Sequence, residues 1–260
     1  MATFDRRRLP APENSYPPIY AVPDTEREAG PSKRTDRGNL ESRPIYLKTG
    51  LISQANGSGY IESGGVKIAC AVYGPRPKPP PYSPNGTLNL EVKFAPFASH
   101  PRRAPLRDTE PASLSTLLTQ LLLPTLQLHL LPKSSLDVYI LVLESDTISG
   151  VLSSGLTVAS AAVADAGIQM NGLGVGAVVV KNDEDSMVDP TKQEENEAAS
   201  SATIGVMPAL NKITNVWLTG ETDIEDACSM IEMAVKESKE THTVLARALL
   251  EGAEERGIAT

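Results

Sequence analysis

The spacing of apolar residues changes several times along this chain, and each change marks an element. Val66, Ile68, Cys70 and Val72 alternate with Lys67, Ala69, Ala71 and Tyr73, the period of two that a half-buried strand imposes. The stretch before them carries Tyr60 and Ile61 and predicts a partner strand, so residues 58–73 form a hairpin. Gly64 and Gly65 supply the positive φ of its tight turn. The second strand is expected to stop at Gly74-Pro75, leaving Arg76 just beyond its end. Residues 45–52 predict an earlier strand, with compact structure beginning near Pro44. Leu88, Leu90, Val92 and Phe94 alternate as a further strand, ended by Pro96.

The period then lengthens. Leu114, Leu117, Leu118, Leu121 and Leu122 take helical spacing within residues 113–131, with Pro124 as a break or kink. Residues 136–143 are β-rich. An Ala-rich helix over 155–165 ends at Gly167, a buried strand follows over 173–180, and 181–201 reads as a long acidic loop. Two short strands, 203–207 and 213–218, precede a long final helix. Thr222 with Glu225 has the spacing of a capping box, and Ile224, Cys228, Ile231, Val235, Val244, Leu245 and Leu249 mark its apolar stripe. Strands followed by a helix, twice over, predict an α/β or α+β fold with a mixed sheet.

Composition narrows the picture. The 260 residues suit one large domain or two small ones, and with only 7 Tyr, 3 Phe and 1 Trp the core must be aliphatic. Residues 1–40 lack a sustained apolar period and read as a disordered or partner-wrapping extension, leaving 41–260 as the folded domain. The proline-rich stretch 75–86 is expected to be an exposed loop. No run of about 18 apolar residues predicts a membrane span, and no apolar signal core follows Arg6-Arg-Arg8. Cys70 and Cys228 both sit in apolar-periodic segments, as reduced core residues of a nuclear or cytosolic protein would.

The net charge of −8 hides an asymmetry: residues 1–107 hold 16 Lys/Arg against 9 Asp/Glu, and residues 108–260 hold 8 against 23. Two readings stay open. One is a face for anionic partners, the other a solvated acidic helix with a basic tail.

Most chemical signals are weak. Gly172-Leu-Gly-Val-Gly176 precedes a strand instead of opening a helix, so a dinucleotide loop is not expected. His100, His129 and His242 are far apart and lack partners at ligand spacing, so neither metal nor cofactor is predicted. No Gly-x-Ser-x-Gly elbow is present. Asp183, Glu184, Asp185 and Asp189 could hold Mg²⁺, supply a general acid, or form a solvated turn. Asp189 stands apart, because it follows Met187-Val188 and precedes Pro190, a setting that suggests the end of a short strand. Arg76, Arg102, Arg103 and Arg107 are candidate phosphate contacts, or an ordinary basic loop. Few aromatics lie near them, so any RNA contact would be to the backbone.

Several segments together resemble the RNase PH family. They are Gln54-Ala-Asn-Gly-Ser-Gly-Tyr-Ile-Glu62, Val72-Tyr-Gly-Pro-Arg76, Ala95-Pro-Phe97, Gly155-Leu-Thr-Val-Ala-Ser-Ala-Ala-Val-Ala-Asp-Ala-Gly167, Val188-Asp-Pro-Thr191 and Val206-Met-Pro-Ala-Leu-Asn-Lys212. They occur in family order over about residues 43–250 and look most like the catalytically inactive eukaryotic branch of exosome ring subunits of the messenger-RNA-transport-regulator type. The resemblance implies an α+β fold of the ribosomal-protein-S5 domain 2 kind, with mixed sheets and packed helices, in a six-membered ring threaded by RNA. In active members it implies phosphorolysis, in which phosphate attacks the 3′-terminal phosphodiester and nucleoside diphosphate leaves.

The chain departs from that pattern where anions are handled. Active members carry an Arg pair at the start of the helix after the Ala-Pro-Phe strand, where this chain has Thr109-Glu110. They hold phosphate with a Gly-Thr-Arg loop, where this chain has Ser145-Asp-Thr-Ile-Ser-Gly-Val-Leu-Ser-Ser154, without arginine and with Asp146. Asp189 matches an aspartate of the family's catalytic region, as a vestigial candidate. Each lost charge-assisted phosphate contact costs about 1.5–3 kcal/mol, so the expectation is a non-catalytic ring subunit that lines or buttresses the RNA channel. Its expected partners are RNase PH-like ring subunits of the other class, an S1/KH-type cap subunit, a processive hydrolytic ribonuclease and single-stranded RNA met by Arg76, Arg102, Arg103 and Arg107. No membrane is expected, and the compartments are the nucleus, nucleolus and cytoplasm. The alternatives are an active phosphate-dependent 3′-to-5′ exoribonuclease using Asp189, and a stand-alone RNA-binding module.

Overall fold

A computed structural model describes residue 34, residues 37–99, residue 102, residues 112–182 and residues 185–257. Its first sheet takes β1 (Ile45–Thr49), β2 (Gly57–Ser63), β3 (Val66–Pro77), β4 (Thr87–Phe94) and β5 (Ser134–Glu144), in the order β1-β2-β3-β5-β4. All neighbours are antiparallel except β4 and β5, which run parallel. The parallel pair needs a crossover, and the chain supplies it with α1 (Ala112–Leu122) and two short 3₁₀ turns, the first at Leu123–Thr125 around Pro124.

Helix α2 (Ile148–Asp165) leads into the second sheet, built from β6 (Val175–Lys181), β7 (Ser186–Val188), β8 (Ser200–Met207) and β9 (Lys212–Gly220) in the antiparallel order β7-β6-β8-β9. α3 (Lys192–Glu197) lies between β7 and β8, and α4 (Ile224–Glu255) closes the fold. The architecture is α+β with one mixed sheet.

α2 lies between the two sheets, touching β2 and β3 on one side and β6 and β8 on the other. Glycine permits the approach on both sides. A Cβ on Gly57 would overlap the backbone of Ala162, and one on Gly176 would overlap the backbone of Ser153. Gly174 and Gly176 of the Gly172–Gly176 run therefore serve packing against α2. The second sheet is covered on its other face by α4, where Met230 and Ala234 meet Ala177, Val179, Ala202 and Ile204. Cover on both faces is why every residue of β8 is buried.

Several boundaries differ from the sequence reading, each for a physical reason. A register irregularity between Tyr73 and Arg76 absorbs Pro75, so β3 continues to Pro77 and carries Arg76 opposite Ser135. At the hairpin turn Gly64 takes a positive φ and Gly65 does not. α2 starts at Ile148, ahead of the Ala-rich stretch, because Thr147 caps it by accepting a bond from the Gly150 N–H at 3.0 Å. The expected acidic loop contains β7 and α3.

The capping box belongs to α3, through Thr191 and Glu194, whereas Asp223, just ahead of α4, makes no side-chain cap. α4 is turned about one residue from its expected stripe: Met230, Ala234, Ser238, Thr241, Leu245, Ala248 and Gly252 are buried. Small side chains let it press against β1, with Gly252 against Thr49. Ile224 is left 84% exposed, and Cys228 is exposed while Cys70 is buried.

Candidate functional site

Asp189 follows the three-residue strand β7 in a left-handed conformation, φ 49°, which aspartate tolerates better than most residues. Its N–H donates to Val178 O at 2.8 Å, fixing the turn, and its carboxylate points at the segment ahead of β1. There Arg43 donates from its main-chain N–H at 2.9 Å, from Nε at 2.8 Å and from Nη2 at 2.6 Å. Arg37 Nη1 adds a bond at 3.2 Å, and its Nη2 donates to the Asp189 main-chain oxygen. Burial pushes the Asp189 carboxyl up, but the bonds and charge of Arg43 outweigh it and hold the group below the usual carboxylate range. An ionised carboxylate with both oxygens engaged has no proton to deliver to a leaving group.

Arg34 extends the same arrangement by gripping Glu194 through two bonds, Nε to Oε1 at 2.6 Å and Nη2 to Oε2 at 2.9 Å. Glu194 also accepts from the Thr191 N–H at 2.7 Å, closing the capping box of α3. Asn39 O accepts from Val188 N at 2.9 Å, so the segment lies along β7. Arg34 and residues 37–43 therefore form a strap across β7 and α3, although the sequence reading placed everything up to residue 40 in the extension. Residues 1–33 lie outside the described residues.

Beside the strap a cleft of about 490 Å³ opens at the start of α2, lined by Asp146, Thr147, Ile148, Lys192, Glu195, Ser200 and Ser201 among others. This is the segment that the resemblance aligns with a phosphate loop. A helix N-terminus attracts anions, and here the chain's own carboxylates supply the negative charge. Asp146 accepts from Lys192 N at 3.3 Å and lies 3.6 Å from Arg43 Nη1. Glu195 accepts a hydrogen bond from Ser149 Oγ, and its second oxygen is buried with no partner among the described residues. Lys192 is the one cation among the described lining residues.

The candidate RNA contacts stand elsewhere. Arg76 is exposed at the end of β3, 5.0 Å from the Tyr73 ring centroid and 3.8 Å from Asp137 Oδ2. Arg102 is exposed. Neither makes an ion pair with Asp189 or Asp146. Arg103, Arg107, Thr109 and Glu110 lie outside the described residues, as do Asp183 and Glu184. The sequence reading missed Arg34, Arg37 and Arg43. Their only local signal was arginine in, or for Arg43 just after, the segment read as extension, because their carboxylate partners lie some 150 residues on.

Comparison with known proteins identifies the family. A model of the 3′ exoribonuclease family, RNase PH, matches the chain twice, domain 1 over residues 41–169 and domain 2 over residues 174–237. The chain is 36% identical over 251 residues to the exosome complex component mtr3 of Schizosaccharomyces pombe, covering 95% of this chain and 96% of that protein. To the exosome complex component MTR3 of Homo sapiens it is 33% identical over 273 residues, covering 98% of each. The crystal structure of rice Rrp46 superposes with a TM-score of 0.72 at 22% identity, over 82% of this chain and 98% of that one. An Archaeoglobus fulgidus exosome structure with RNA bound to the active site gives 0.70 at 17% identity, over 81% and 92%. These last two likenesses concern the fold alone.

Proposed function

The chain belongs to the RNase PH family of 3′ exoribonucleases, and on that premise we propose that it is a non-catalytic structural subunit of an RNA exosome ring. Its near full-length likeness to proteins named exosome complex component supports the assembly. The observation that carries the lack of catalysis is the cleft at the start of α2. Asp146 and Glu195 line it, while the nearby guanidiniums of Arg37 and Arg43 are bound to Asp189. Phosphorolysis needs cations preorganised on the attacking phosphate and on the transferred one. Asp189 cannot stand in as an acid, because Arg43 keeps it ionised.

In this reading the chain lines or buttresses the path of single-stranded RNA, with Arg76, Arg102, Arg103 and Arg107 meeting phosphates. Its neighbours are RNase PH-like subunits of the other class, an S1/KH-type cap subunit and a hydrolytic ribonuclease that does the cutting. The work is RNA processing and degradation in the nucleus, nucleolus and cytoplasm. The deciding experiment supplies inorganic phosphate and 3′-labelled RNA to the pure chain and to its reconstituted ring. No phosphate-dependent release of nucleoside diphosphates is expected from this subunit. Release that disappears on Asp189→Asn would overturn the reading in favour of an active exoribonuclease. Salt-dependent RNA binding by the ring should weaken when the four arginines become Glu, and an unchanged salt slope would take them off the RNA path.

A further inference from the structure

Between the strap, α2 and the middle of α4 lies a small polar pocket of about 20 Å³, room for about one water molecule. Its walls include Ser42 from the strap, Ser63 from β2, Thr157 from α2, Asp189, and Glu237 with Thr241 from α4. The Glu237 Oε2 is buried with no hydrogen-bond partner among the described residues. The carboxylates that meet the strap arginines each have a counter-charge. Arg34 faces Glu194, and Arg37 and Arg43 face Asp189 and Asp146. Glu237 is half-buried and forms no ion pair among the described residues, and a carboxylate with a buried oxygen left without a partner is costly enough that such groups hold their proton instead.

We propose that Glu237 is a proton-controlled latch on the arginine strap: with its proton it allows residues 37–43 to close over Asp189, and without it the strap opens. Ser42 is the link, because it walls the cavity from the strap side, so that lifting the strap admits water to Glu237. On opening, the Glu237 carboxyl passes its proton to that water and is hydrated as the anion. In the closed form, burial, helped by Asp189 and by Glu240 one turn along α4, pushes the Glu237 carboxyl up to about 8. Arg37 pulls the other way, and Arg43 is directed at Asp189. β1, β2 and α2 present only Ile, Gly, Ser and Thr to the cavity among the described lining residues.

One proton released per opening event has a definite signature. Once the intrinsic pH dependence of exchange is removed, the open fraction should rise about tenfold per pH unit between the ordinary carboxyl value and the raised one. Amide hydrogen exchange on the full chain, read over residues 37–47, tests this. Wild type should lose about a hundredfold in protection between about pH 6 and pH 8, and Glu237→Gln should show no slope. Asp189 does not titrate in that window, since its carboxyl lies below the usual range. A flat wild type, or the same slope in the variant, would overturn the latch. Carbon-13 titration of the Glu237 carboxyl in the wild-type chain gives a second check that needs no variant. A midpoint above neutrality is expected, and one in the ordinary carboxylate range overturns the proposal.

Discussion

The strap and the cleft lie side by side and treat carboxylates in opposite ways. In the strap, Asp189 and Glu194 each meet guanidinium groups at 2.6 Å, Glu194 almost wholly buried and Asp189 mostly so. In the cleft, Asp146 and Glu195 rest on a main-chain N–H and a serine hydroxyl. Arg43 stands on the border, with Nη2 at 2.6 Å from Asp189 and Nη1 at 3.6 Å from Asp146. The geometry thus assigns it to the strap. A cation held by an internal carboxylate through several short bonds is lost to a passing phosphate, so tightening the strap also leaves the cleft negative. One arrangement serves the fold and removes the chemistry.

If the strap is the structural half of this pair, emptying it should hurt most. Asp189→Ala leaves Arg43 and Arg37 buried without their anion, and breaking a buried pair in this way costs about 3–5 kcal/mol. Urea unfolding at neutral pH should read that loss directly. A cost below about 1 kcal/mol would mean the pair behaves like a surface ion pair and that the comparison is wrong. The pH dependence follows from the direction of the shift. Asp189 titrates below its unfolded value of 3.8, so its stabilisation is present above that value and is lost as pH falls through the folded one. Wild type should therefore lose stability in acid more steeply than Asp189→Asn.

The next largest effect should have the opposite sign. Glu237 titrates near 8 when folded against an ordinary 4.5, so the stability linked to its protonation is intact below about 4.5 and is lost as pH rises toward 8. Glu237→Gln removes that penalty and should stabilise the chain by up to about 3 kcal/mol at pH 7. No gain is expected at pH 4, where both states are protonated. Destabilisation at pH 7 would show that the carboxylate is ionised and satisfied in the fold.

Both regions were only half legible in the sequence. The alternation of Val66, Ile68, Cys70 and Val72 is a local property, so β3 could be read off directly. The position of Asp189 at the end of a short strand was also readable, from Met187-Val188 before it and Pro190 after it. Which cations would reach it was not. Arg37 and Arg43 precede it by about 150 residues, and nothing in their own neighbourhood announces a buried partner. The pairing of that short strand, β7, with β6 was not readable, because three residues cannot display a period. The α4 stripe misled in its last turns because close contact with β1 there selects small residues such as Gly252, which a search for large apolar residues passes over. Asp146 was noticed as a departure from a phosphate loop, but its partner Arg43 was not.

A smaller effect separates the two halves of the strap. Glu194→Gln keeps the shape of the side chain and an amide oxygen to accept from the Thr191 N–H, while removing the charge that holds Arg34. Losing the charge-assisted pair should cost about 1–2 kcal/mol. Chemical denaturation can be compared with Thr191→Ala, which keeps that charge and loses the hydroxyl of the cap. A cost for Glu194→Gln below about 0.5 kcal/mol would mean that Arg34 contributes nothing and that the strap is anchored by Asp189 only.

The smallest effect belongs to the cleft and bears most on function. Asp146→Asn with Glu195→Gln should change stability by less than about 1 kcal/mol, because Asp146 is partly solvated, the buried Glu195 oxygen has no partner to lose, and neither carboxylate is clamped by a short guanidinium bond. The double variant does remove the two negative charges beside the N-terminus of α2. What remains for an anion is the helix terminus, worth about 0.3–1 kcal/mol, and Lys192. Phosphate titrated by NMR should therefore leave wild type unchanged and shift the Ile148, Ser149 and Gly150 amides of the double variant only weakly, in the millimolar range or above. Micromolar phosphate binding by wild type would show that cations outside the described residues complete the site, and the contrast between strap and cleft would then fail where catalysis is concerned. Weak binding that appears only in the variant would show that Asp146 and Glu195, more than the shape of the cleft, keep phosphate out.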